Sequence, residues 1–88
     1  MSFLSHYRKK PAKDVRDILV RFLDGTAKPH EFDDFVSVSI DDPQLDAIRE
    51  RCDGLWREFP PEVSGHYCGE GGVEVMRQFI QELEREES

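Results

Sequence analysis

Apolar positions recur along this chain mostly at helical spacing. Val15, Ile18, Leu19, Phe22 and Leu23 form one stripe of a helix, which predicts an amphipathic segment from about Pro11 to Asp24. Asp14, Arg16, Asp17 and Arg21 lie off that stripe, with Asp17 and Arg21 spaced for an i,i+4 pair. Gly25 follows where a left-handed C-terminal residue is expected.

A short helix is expected to open at Pro29, with Glu31, Asp33 and Asp34 near the positive end of its dipole and Phe32, Phe35 and Val36 facing the core. Val36, Val38 and Ile40 then alternate with Ser37 and Ser39 at strand spacing. No second alternating run exists to pair with it, so residues 37–41 read as an extended connector, with a strand as the exception.

Asp42-Pro43 marks the next helix. The residue before proline is pushed out of the α region, as an N-cap requires, and proline suits the first helical position. Leu45, Ile48, Cys52, Leu55 and Phe59 continue one stripe, so a single helix is expected to cross Gly54 and end before Pro60, with Trp56 beside the stripe and directed to the core. Residues 60–72 form a loop rich in Pro and Gly. Val73, Met76, Phe79, Ile80 and Leu83 define a last helix from about Gly72 to Glu86. The expected architecture is all-α: a small antiparallel helical bundle of three long helices and one short helix, one domain over residues 1–88 with a basic arm at 1–10 and the bundle at 11–86. About twenty apolar residues supply the core, enough for one and nothing spare.

At 88 residues there is no room for a second domain, and no apolar run is long enough to cross a bilayer. Charge adds the more informative asymmetry. The net charge is −7, yet the first thirty residues are basic on balance, with Arg8, Lys9, Lys10 and Lys13 among their cations. The acids concentrate beyond Glu31, where few arginines answer them. Such a surface repels phosphate backbones, which argues against nucleic acid, and it suits a basic protein whose approach it would speed. The N-terminal segment has no signal-peptide core, Ser2 is not the glycine that myristoylation needs, and Glu86-Glu87-Ser88 is not a prenylation box, so a cytoplasmic setting with Cys52 and Cys68 reduced is expected.

Candidate chemistry is sparse. His30, Cys52, His66 and Cys68 are ligand types, but only His66 and Cys68 are locally paired and no zinc-like spacing occurs. The aspartates 33, 34, 41 and 42 lack the loop spacing of a calcium hand. Cys68 sits in a glycine-rich loop ahead of a helix, where a thiol pKa can fall, with His66 two residues away. Gly69, Gly71 and Gly72 suggest a phosphate cradle without its lysine, or more simply a hinge or a tight entry into the last helix. No catalytic residue, metal or cofactor is assigned.

In size, in its four expected helices with a short one among them, and in its central acidic excess, the chain resembles the small acidic immunity proteins that inhibit colicin-type nucleases. The paired tyrosine and proline of that family's short helix do not occur; acids flank Phe32 and Phe35 instead. The run FLDGTAKPHEFDDF is also similar to small uncharacterised bacterial proteins. What the resemblance implies agrees with the charge pattern: a non-enzymatic module that presents Glu31, Asp33, Asp34, Asp41, Asp42 and Asp46 to a basic protein, with Tyr67 as an anchor. Two alternatives stay open: a small metal- or thiol-dependent enzyme using His66, Cys68 and the aspartate cluster, and a subunit that self-associates, for example as a homodimer. No nucleic-acid or membrane partner is expected.

Overall fold

A computed structural model describes residues 7–8 and 12–87 of the chain. It is mostly helical, as expected, but with five helical segments among these residues: α1 (Ala12–Asp24), α2 (Glu31–Ser37), α3 (Pro43–Asp53), α4 (Leu55–Glu58) and α5 (Glu70–Glu87). Two short strands, β1 (Tyr7–Arg8) and β2 (Ser39–Ile40), pair in parallel. The extended connector is therefore a strand in part. Its partner lies in the stretch read as a basic arm, where a two-residue segment offers no alternation to detect. The rest of that stretch, with Pro11, lies outside the described residues.

Helix α1 ends as its sequence dictates. Gly25 takes φ +79°, Thr26 N–H donates to the Arg21 carbonyl at 2.9 Å, and Gly25 N–H reaches the Phe22 carbonyl at 3.3 Å. These bonds form a Schellman closure, which only a residue tolerant of positive φ completes without strain. Helix α2 begins two residues later than expected, leaving Pro29 in the preceding turn, and no side chain caps it. At α3 the expected cap is present: the Asp42 side chain accepts from Gln44 N–H at 2.9 Å and Leu45 N–H at 3.1 Å, with Pro43 in the first turn.

The expected single helix is broken at Gly54, whose φ and ψ of −100° and 0° leave helical geometry and separate α3 from α4. Cys52 and Leu55 stay fully buried across the break, so the stripe survives although the helix does not. Trp56, expected in the core, is 48% exposed, with the Arg57 guanidinium carbon 5.3 Å from its ring centroid. One position past Leu55 on a helix is about a hundred degrees around the axis, which here is the outer face.

Helix α1 packs most extensively on α5, and the apolar faces converge on one cluster containing Val15 and Leu19 of α1, Phe35 of α2, Leu55 of α4 and Met76 and Leu83 of α5. Among the described residues, no buried side-chain nitrogen or oxygen lacks a hydrogen-bond partner.

Candidate functional site

The acidic residues divide by what they touch. Glu31, in the first turn of α2, receives Arg21 of α1: Nε donates to Oε1 at 3.1 Å and Nη2 bonds Oε2. This cross-helix pair takes Arg21 from the expected partner Asp17, which bonds Arg16 at 2.8 Å instead. The Arg21 bond holds the Glu31 carboxyl below the usual range, and Arg16 does the same for Asp17.

Asp46 is also engaged within the chain. Its Oδ1 accepts from Arg49 Nε at 2.7 Å and from Ile40 N–H at 2.9 Å, and the Arg49 bond leads the causes that lower its pKa. Arg49 is 8% exposed and donates from Nη1 to the Val36 carbonyl at 2.7 Å. The pair therefore ties α3 to the end of α2 and to β2, and Nη2 of the buried guanidinium also lies 3.7 Å from Glu50 Oε2. The i,i+3 spacing of Asp46 and Arg49 is the local sequence signal for this pair. Asp42 caps α3.

The remaining three carry no such duty. Asp33 and Asp34 lie on the outer face of α2, opposite Phe32, Phe35 and Val36, and Asp41 follows β2. All three are exposed, and none forms a side-chain hydrogen bond or ion pair among the described residues.

Tyr67 is a clasp as well as a surface residue. Its hydroxyl donates to the Cys52 carbonyl at 2.8 Å, with the Asp53 carbonyl at 3.1 Å, and its ring meets Phe32 edge-on at 4.9 Å and Phe22 at 5.9 Å. Burial, followed by the neighbouring Asp53 carboxylate, pushes its pKa up to about 12. It fastens the loop between α4 and α5, whose ends are closed by Gly69 N–H donating to the Phe59 carbonyl at 2.7 Å. This is the geometry of an Ω-loop, a feature the Pro/Gly composition left unresolved.

The thiol and glycine candidates are placed unfavourably for chemistry. Cys52 is fully buried and Cys68 is 5% exposed; burial pushes Cys52 up to about 12 and raises Cys68 too. A thiolate nucleophile needs the opposite shift. His66 and His30 are exposed, and among the described residues no three His, Cys, Asp or Glu side chains come together as a metal-binding group. The glycine run serves close packing. A Cβ on Gly72 would lie 2.6 Å from Cys68 Sγ, and one on Gly71 would strike the Phe59 ring, so protein atoms fill the space a phosphate would need.

Hollows adjoin the Tyr67 loop. One of about 300 Å³ is bounded by Phe22, Phe32, Lys28 and Asp33, and another of about 460 Å³ lies between the end of α1, the loop and α5. Among the described residues no helix is long and apolar enough to cross a membrane. No family model, curated protein or solved structure matches the chain.

Proposed function

We propose that the chain is a non-enzymatic protein-binding module that offers an acidic surface to a basic protein partner. The observation that carries this reading is the division among its acids. Glu31, Asp42 and Asp46 serve the fold, whereas Asp33, Asp34 and Asp41 are exposed and have no side-chain partner among the described residues. Unpaired carboxylates on a chain of net charge −7 cost repulsion that an approaching cationic surface relieves, and their field accelerates encounter. The raised pKa of both cysteines supports the non-enzymatic reading over a thiol enzyme. The reading carries with it antiparallel packing of the long helices and a cytoplasmic setting. Its concrete version is inhibition of a basic toxin, as in the immunity proteins that the chain resembles.

The test begins with capture of basic proteins on immobilised chain, followed by stopped-flow association with the purified partner. Asp33→Ser with Asp34→Ser is expected to slow association by about threefold to tenfold at low salt and to flatten its salt dependence. Association rates unchanged by the double substitution would remove the proposal.

A further inference from the structure

We infer that the groove between the Ω-loop and the first turns of α5 is a docking site for a basic protein segment carrying an apolar side chain between its cations. This rests on the reading above and adds a second docking place, apart from the α2 face of Asp33 and Asp34. Two hollows of about 460 and 610 Å³ share His66, Cys68, Val73 and Arg77, so they adjoin one another along this groove. Its apolar surface comes from Phe22 and Leu23 of α1, Tyr67 and Val63 of the loop, and Val73 of α5, and Val63 is 55% exposed. An apolar patch of this kind in a charged surface marks a place where a partner's side chain loses water.

Charge identifies the occupant. Asp24, Glu62, Glu70 and Glu74 contribute carboxylates to the lining, against Arg77 as the cation, and Arg77 already lies 3.8 Å from Glu74. Three carboxylates are left without an ion pair among the described residues. The smaller hollow is mainly apolar, with Phe22, Leu23 and Tyr67, and the larger one carries Glu62, Glu70 and Glu74. This arrangement fits an aliphatic or aromatic side chain beside Lys or Arg. It disfavours an acidic peptide or a phosphate.

The experiment uses the full chain, ¹⁵N-labelled, titrated with a short peptide of alternating lysine and leucine, and with all-lysine peptide of equal length. Amide shifts at Val63, Gly65, Gly69, Val73 and Arg77 with the lysine–leucine peptide, weaker with all-lysine, are expected. Glu62→Gln with Glu70→Gln and Glu74→Gln should weaken binding by about tenfold while the circular dichroism melt stays close to the parent. Asp33→Asn with Asp34→Asn should leave this binding within about twofold, separating the groove from the α2 face. Shifts confined to α2 and lost in the α2 variant overturn the groove and leave the general reading standing. Equal binding of both peptides without groove shifts overturns it as non-specific attraction. Concentration-dependent shifts at the groove without peptide assign it to a second copy of the chain and overturn the proposed occupant. No binding of either peptide overturns the groove, while the general reading stands or falls with the association rates of the Asp33 and Asp34 variant.

Discussion

Asp46 accepts two hydrogen bonds in this structure, one from a nearly buried guanidinium and one from a strand amide. Both favour its charged form, so its pKa is lower in the folded chain than in the unfolded one. The stabilisation is complete above the ordinary carboxylate pKa of about 4 and is lost as pH falls through the lower folded value. Glu31 shifts in the same direction through Arg21. Urea midpoints measured between about pH 6 and about pH 3 should therefore fall steadily, and Asp46→Asn should shallow that decline while lowering the plateau. A variant with the parent's full acid dependence would show that Asp46 is not so engaged. The thiols make a second residue-scale prediction. With Cys52 moved from 9.0 to about 12, its thiolate fraction near pH 8 drops on the order of a thousandfold. Ellman's reagent should label it rapidly only after unfolding, and prompt labelling in the folded state would contradict its burial. Asp42 was legible in the sequence because a cap before proline is a local signal. Asp46 was legible only as an acid, since the strand amide it accepts from depends on a chain path that no local pattern encodes.

Among the elements, the stripes of α1, α3 and α5 were readable because burial imposes their periodicity. Three features escaped for distinct physical reasons. Gly54 breaks the α3–α4 helix because its backbone leaves helical geometry, while its neighbours Cys52 and Leu55 hold the stripe's phase. Parallel pairing of β1 with β2 joins segments on either side of α1 and α2, and neither strand is long enough to announce itself. The start of α5 is set by close approach: Gly72 carries Cys68 Sγ where a side chain would stand. Gly72→Ala gains about 1 kcal/mol of helix propensity but meets overpacking of about 1–3 kcal/mol. A net loss in a denaturant melt is expected, and Cys68→Ala in the same chain should return part of it through relief of the sulfur contact. Additive losses from the two substitutions would show that the contact is not the cause.

At the scale of the whole molecule, the acidic half of the chain does two jobs that composition alone merges. Charge excess and its concentration beyond Glu31 were visible in the sequence. Apart from the Asp42 cap, which acids were spoken for was not, because Arg21 meets Glu31 across two helices and the Arg49 that holds Asp46 also reaches the Val36 carbonyl from another element. The acidic docking surface therefore depends on a partition of six carboxylates. The most direct measurement compares unfolding free energies of two triple variants by urea denaturation at neutral pH. Replacing Asp33, Asp34 and Asp41 by Ser should cost no more than about 1 kcal/mol, since Asp33 and Asp34 add only a weak interaction with the α2 dipole and surface charges contribute little else to the fold. Replacing Glu31 by Gln, Asp42 by Ala and Asp46 by Asn should cost about 2 kcal/mol or more through the lost cap and the stranded Arg49. Equal losses from the two variants, or a larger loss from the first, would contradict the partition and with it the acidic docking surface.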